Sequence, residues 1–328
     1  ILDRTIRIEK LVNELKAKLV LTTLEEKTAL RAAHLCKADL ATHMVVEMTS
    51  LQGVMGAFYA RRSLEEEGVA KAIMEHYLPK STGDASPSTK PGLIVSLADR
   101  LDLLAGLFAA GLAPTGTKDP YAQRRAALGL VQSLIAWNLD FDLSEGLQLA
   151  AANLPIPLTS QTLKACQEFI TGRLKGLLTD QGFRYDVVDA VLAQQGTNPA
   201  GAARACKQLN TWVQRPDWNT ILPAFSRCVR ITRSLKDPFT VQPDTLNQPS
   251  EKELLNQIAW MEKAMLNTSS VDEFLNAFLP AIQPINNFFD AVLVMSENPV
   301  EKSNRLGMLQ RIAHLPENIV DLSMLEGF

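Results

Sequence analysis

Residues Leu93 to Phe108 constrain this chain more than any other segment: they are apolar around most of a helical circumference, with hardly a polar side. A helix of that kind must be surrounded. The stretch that continues it, near Leu103 to Ala113, is too short and too interrupted by glycine to cross a bilayer, so other helices must do the surrounding. The rest of the chain supplies them. Apolar residues at 8, 11, 12, 15 and 19 lie on one helical face and predict a helix from Thr5 to Leu21. Thr23 followed by Glu26 reads as a capping box opening a long helix from Thr23 to Met48, and Leu64 to Tyr77 reads as another.

Helical periodicity resumes near 120–139, 144–153, 159–179, 184–195, 200–213, 218–235, 250–266, 271–278, 285–295 and 299–313. The breaks are rich in proline and glycine: Pro79 to Gly92, Gly111 to Thr117, Gly196 to Gly201, and Asp237 to Pro249. No strand-rich region, internal repeat or heptad run appears. Aromatics make up only 6% of the chain and leucine and alanine dominate, which agrees with helices. The expected fold is all-α. A length of 328 residues allows two or three domains, with boundaries expected at 113/114 and 213/214. The chain opens on Ile1 rather than Met, as a piece of a longer protein would.

Several chemistries lack their residues. Cys36, Cys166, Cys206 and Cys228 are far apart and form no CxxC pair, which speaks against a zinc site or disulfide framework and for a reducing cytoplasmic setting. There is no GxSxG elbow, GxxxxGK[ST] loop or GxGxxG turn. No signal peptide is visible.

The charge distribution is more telling. The net charge is −3, yet between Gly201 and Lys236 seven basic residues (Arg204, Lys207, Arg215, Arg227, Arg230, Arg233, Lys236) face the single acid Asp217. Arg227, Arg230 and Arg233 recur every third residue and fall within about 120° of one helical face, a stripe suited to phosphates. Ile221, Phe225 and Cys228 would anchor the opposite side. A one-signed run on a helix can also be a merely solvated face. Asn304, Arg305 and Arg311 on the last helices carry the side chains that read unstacked base edges. Phe288, Phe289 and Val292 are spaced like core.

A turn and strong helix start occupy Pro114 to Gly129. Asp119 is the expected N-cap and Pro120 the first helical residue. Neither role requires Lys118 ahead of the cap or the adjacent Arg124 and Arg125. Those three could hold an RNA backbone or brace one helical layer against the next, or the arginines could pair with Asp119 or Asp140.

This string, together with Lys37-Ala-Asp39-Leu, Leu51-Gln-Gly-Val-Met-Gly56, Leu97-Ala-Asp-Arg-Leu-Asp102, Phe288-Phe-Asp-Ala-Val-Leu-Val-Met295, Asn304-Arg-Leu306 and Asp321-Leu-Ser323, resembles the β subunit of bacterial-type heterotetrameric glycyl-tRNA synthetases. The motifs are separate, in order, and cover nearly the whole chain. The resemblance implies a degenerate HD-like helical domain over 1–113, a helical middle region over 114–213, and an anticodon-binding helical bundle of the arginyl-tRNA synthetase type over 214–328. It implies a non-catalytic, tRNA-binding role. Lys118, Arg124, Arg125, Arg204, Lys207, Arg227, Arg230, Arg233, Asn304, Arg305 and Arg311 would be the tRNA contacts. The partners would be tRNA(Gly) and the synthetase α subunit, with no membrane or DNA. ATP and Mg would be used by the α subunit, and this piece would need no cofactor.

Active HD-type phosphohydrolases hold a metal through a histidine, a His-Asp dyad and a later aspartate. Here the dyad reads Ala38-Asp39, Asp99 fits the later aspartate, and His76 is an accessory candidate. Asp39, His76 and Asp99 make a weak ligand set. They read more readily as polar ties between helices, with Lys37 or backbone N–H groups as partners. His34 and His43 lie nearby on the same predicted helix. The rival readings are a metal-dependent HD-type phosphohydrolase and a purely architectural helical subunit.

Overall fold

A computed structural model of the chain describes residues 1–116, 118–235, 237–266 and 270–328, so Thr117 and Lys236 lie outside the described residues. Among the described residues the regular structure is helical. The only β feature among them is an isolated bridge between Thr115 and Lys118. Two compact units form, residues 1–177 with 197–201, and residues 178–196 with 202–328. The expected boundary at 113/114 falls inside the first unit and that at 213/214 inside the second.

The first unit contains α1 (Leu2–Leu15), α2 (Thr23–Leu35), α3 (His43–Glu47), α4 (Val54–Arg62), α5 (Glu67–Glu75), α6 (Lys90–Ala109), α7 (Gln123–Ala136), α8 (Leu143–Ala152) and most of α9 (Ser160–Asp180). The predicted central helix is α6, and it packs against α1, α2, α5, α7 and α8. Leu93, Ile94, Leu97, Leu101 and Leu104 are at most 1% exposed. Each such side chain contributes about 1.5–3 kcal/mol of burial. The N-terminus of α6 is fixed by Thr89, whose hydroxyl accepts from the Gly92 N–H at 3.1 Å. Buried Glu75 accepts in turn from the hydroxyls of Ser88 and Thr89, both at 2.6 Å. A Cβ at Gly92 would stand 2.3 Å from a Glu75 carboxylate oxygen, so this close approach requires glycine.

Three helix boundaries differ from expectation. The capping box of α2 is Thr22 with Glu25, one residue earlier than the pattern suggested. The long helix expected to Met48 stops at Leu35, and short 3₁₀ turns and α3 follow. The cause is Asp39, which is drawn inward to accept from the N–H groups of Gly53 at 2.7 Å and Gly56 at 3.2 Å. Gly53 has φ +79°, a conformation that places its N–H there at little cost. Third, α7 begins at Gln123 rather than Pro120, because Ala122 adopts a left-handed φ of 55°. Asp119 still closes that helix start, accepting from the N–H groups of Gln123 and Arg124 at 2.8 and 2.9 Å.

The second unit contains α10 (Tyr185–Gln195), most of α11 (Pro199–Trp212), α12 (Trp218–Thr232), α13 (Pro249–Met265), α14 (Val271–Phe278), α15 (Ile282–Ala291) and α16 (Pro299–His314). Its core includes Phe225, Phe274 and Phe278, whose ring centroids lie 5.6–6.1 Å apart, with Phe225 edge-on to both. Ile221, Phe225 and Cys228 face this core as predicted, and α12 packs on α15 and α16. The 237–246 connection is tied down by α16. Asn304 accepts from the Gln242 N–H at 2.7 Å and donates to the Thr245 hydroxyl at 2.8 Å. Gln310 accepts from the Phe239 N–H at 2.8 Å.

Candidate functional site

The three candidate metal ligands divide into two groups. His76 and Asp99 come together, but around Lys37 rather than around space for an ion. The Lys37 ammonium lies 2.9 Å from His76 Nε2 and 2.8 Å from Asp99 Oδ2, above the Tyr77 ring at 4.2 Å from its centroid. The other Asp99 oxygen accepts from Arg4 at 2.8 Å. His76 Nδ1 is 2.6 Å from the Ile73 carbonyl, so that nitrogen carries the proton and Nε2 offers its lone pair to Lys37. Asp39 is turned away to Gly53 and Gly56.

Energetics follow from this geometry. Burial opposes the charge on Asp99, but Lys37 and Arg4 together overcome it and hold the carboxyl well below the usual carboxylate range. Burial first, and the Lys37 ammonium second, push His76 well below its ordinary value, so it is neutral. A divalent cation would need the lone pairs that already face a fixed positive charge. The residues present do not fit a metal, and among the described residues no group of three or more His, Cys, Asp or Glu side chains is arranged to hold one. The structural reading of Asp39, His76 and Asp99 thus has its partners: Lys37, Arg4 and two backbone amides.

The basic residues separate in the same way. Arg227, Arg230 and Arg233 are all exposed on one side of α12 and its C-terminal end. Among the described residues none of the three forms an ion pair. Arg227 lies over the Phe289 ring at 4.3 Å, and Arg230 is 5.8 Å from the Phe328 ring. Arg215, by contrast, is held by Asp217 through two bonds of 2.8 and 2.7 Å and covers Trp212. Arg204 and Lys207 are exposed on α11, and Lys118 and Arg125 are exposed in the first unit. Arg124 is half-buried and donates to the Gly116 carbonyl. Asp119, offered as its ion-pair partner, serves the backbone instead.

The base-reading trio on α16 is engaged within the protein. Asn304 is 1% exposed and spends its amide on Gln242 and Thr245. Arg305 is 6% exposed, bonding Glu251 at 2.7 Å and the Leu293 carbonyl at 3.0 Å, with Glu301 at 3.2 Å. Arg311 forms a two-pronged pair with Glu262 at 2.7 and 2.6 Å. In this conformation Asn304 and Arg305 are buried fasteners, whereas Arg311 is half-exposed and its Nη1 stands outside the pair with Glu262. Phe288 is fully buried and Phe289 half-buried, in keeping with their core-like spacing.

Sequence reasoning missed Arg4, Lys80 and Arg100, which gather near Lys37. Arg4 and Lys80 are far apart in the chain, and Lys80 sits in the proline- and glycine-rich loop, so no periodicity connects them. Arg100 lies in the apolar helix, where its charge next to Asp99 was the one available signal.

Among the described residues the chain is helical, with a polar knot in one unit and an exposed arginine stripe in the other, and its relatives are aminoacyl-tRNA synthetase subunits. A sequence model of the family described as glycyl-tRNA synthetase beta subunit matches residues 1–193. The glycine–tRNA ligase beta subunit of Halalkalibacterium halodurans is 37% identical over 95% of this chain and 46% of its own length. That of Moorella thermoacetica is 36% identical over 99% of this chain and 48% of its own. A chloroplastic/mitochondrial glycine–tRNA ligase of Arabidopsis thaliana is 35% identical over the whole chain and 31% of its own length. The chain belongs to the glycyl-tRNA synthetase β-subunit family. It spans less than half the length of these relatives.

Proposed function

We propose that this chain binds and positions tRNA(Gly) for aminoacylation within a glycyl-tRNA synthetase, and makes no bond itself. The adenylate chemistry, with its ATP and Mg, would lie on a separate α subunit, the protein partner of this chain. In this reading residues 1–113 are an HD-like domain near the acceptor arm, and residues 214–328 are the bundle that approaches the anticodon loop. Holding reactants in register is a catalytic contribution in its own right. The setting would be the cytoplasm: no helix among the described residues is long and apolar enough to cross a membrane. The four cysteines are free and buried, and burial raises each thiol to about 12, so none is poised to react.

The observation that carries this reading is the exposed Arg227–Arg230–Arg233 stripe, to which no carboxylate among the described residues is paired. A cationic row left open on a helix suits a polyanion. The phosphohydrolase alternative is disfavoured by the Lys37 ammonium between His76 and Asp99. Gel shift of the chain with tRNA(Gly) of matched and altered anticodon tests the proposal. Binding that weakens in the Arg227→Ala/Arg230→Ala variant supports it. Unchanged affinity in that variant overturns the assignment of the stripe. No tRNA affinity together with assembly onto the α subunit would leave the architectural role.

A further inference from the structure

A cavity of about 310 Å³ opens beside the Lys37 cluster, lined by Arg4, Lys37, Lys80, Arg100 and Arg125 against the single acid Asp99. Such an excess of cations is unusual in a chain whose total charge is −3. Two of the five are already committed: Arg4 and Lys37 share Asp99. Arg100 is 6% exposed and bonds uncharged acceptors: the Ser96 hydroxyl and the carbonyls of His76 at 3.1 Å, Ser96 at 3.5 Å, Tyr77 at 3.4 Å, Leu78 at 2.8 Å and Pro79 at 3.0 Å. Its charge is held in place without a counter-ion bonded to it, an arrangement that favours an anion nearby.

Two exposed donors remain to meet that anion. Arg125 and Lys80 are exposed, and among the described residues neither forms an ion pair. Asp84, whose carboxylate accepts from the N–H groups of Lys80 and Ser81, does not line the cavity. Arg4 Nε is buried without a hydrogen-bond partner, 3.7 Å from the nearest Asp102 oxygen. The Tyr77 hydroxyl, on the same wall, is also buried and unpartnered. Tyr121 contributes an aromatic side chain that is 47% exposed.

We propose that this cavity binds a phosphate monoester dianion, either a free nucleoside monophosphate or the 5′-phosphate end of an RNA. Arg125 and Lys80 would bond the phosphate oxygens, with Arg4, Arg100 and Lys37 supplying field from behind. A dianion matches the charge excess better than a singly charged diester, and charge-assisted bonds from guanidinium are the strong kind. The volume exceeds that needed by an inorganic ion, and Tyr121 offers a face for a base. This site is independent of the α12 stripe, which lies in the other unit.

The test uses the 328-residue chain, titrated with AMP and with inorganic phosphate by calorimetry. Both should bind, and the Lys80→Ala/Arg125→Ala variant should lose about tenfold or more in affinity. Thermal unfolding matching the wild type would show that the fold survives these surface replacements. Lys10→Ala, an exposed cation on α1, serves as control and should bind AMP as the wild type does. A 5′-phosphorylated oligoribonucleotide binding tenfold tighter than its 5′-hydroxyl twin would identify the RNA end as the source. Equal binding of the two oligonucleotides, with AMP still bound, would identify the free nucleotide. No AMP or phosphate binding, or undiminished affinity in the double variant, overturns the proposal. Neither result bears on Arg227 and Arg230, so the two assignments stand or fall separately.

Discussion

Replacing Lys37 with methionine tests the polar knot of the first unit. The side chain is 3% exposed and its ammonium holds both His76 and Asp99, so methionine keeps the stem and deletes the charge. Asp99 would keep Arg4 but lose its more buried partner, and His76 Nε2 would be left without a donor. Breaking a buried pair from one side costs about 3–5 kcal/mol. At about 2–4 °C per kcal/mol for a unit of this size, unfolding of residues 1–177 should fall by roughly 6–20 °C. Differential scanning calorimetry on the wild type and variant measures this directly.

The pH dependence gives a second signature. Asp99 has its folded-state pKa held below the unfolded value, so its contribution is fully present above about pH 4 and lost as pH falls through the depressed value. Without Lys37 one of the two restraining cations is gone while burial still pushes upward. The acid limb of the stability curve should therefore move to higher pH in the variant. Adding Asp99→Asn to Lys37→Met should cost less than the two single losses combined, with coupling of about 0.5–3 kcal/mol. A Lys37→Met protein as stable as the wild type, with an unmoved acid limb, would refute the knot.

Other consequences are as specific. Because burial keeps His76 neutral in the fold and its pKa is depressed, stability should decline as pH falls below about 6.5, by roughly 1.4 kcal/mol per unit at most, which urea unfolding between pH 5 and 7 would register. Gly129→Ala should destabilise the first unit by about 1–3 kcal/mol in the same assay, since its Cβ would lie 2.8 Å from the fixed Arg100 guanidinium. Arg305→Met should cost about 3–5 kcal/mol by leaving Glu251 buried and unpaired, whereas Arg233→Ala should leave thermal stability within about 0.5 kcal/mol.

Helix identity was legible because apolar spacing is a local signal, and α6 stands where its all-round hydrophobicity placed it. Boundaries were less so. The break after Leu35 depends on Asp39 reaching amides fourteen and seventeen residues away, which no window of sequence reveals. Likewise, Asn304, Arg305 and Arg311 have the composition of a reading head, but the acids and amides that absorb them lie 49 to 62 residues away for the main bonds. On the α12 stripe, by contrast, no carboxylate among the described residues forms an ion pair with the arginines. Lys37 could be suggested as a partner for Asp99, since a buried carboxylate demands one; that His76 would join from a third segment could not.

The salt dependence of tRNA(Gly) affinity tests the central claim most directly, measured for the wild type and for Arg227→Ala/Arg230→Ala/Arg233→Ala. Each phosphate contact contributes roughly 0.7–0.9 to the slope of log K against log salt, so the triple variant should bind more weakly and its slope should be shallower by about 2–3. Equal slopes and equal affinities would mean that these guanidiniums contact no phosphate.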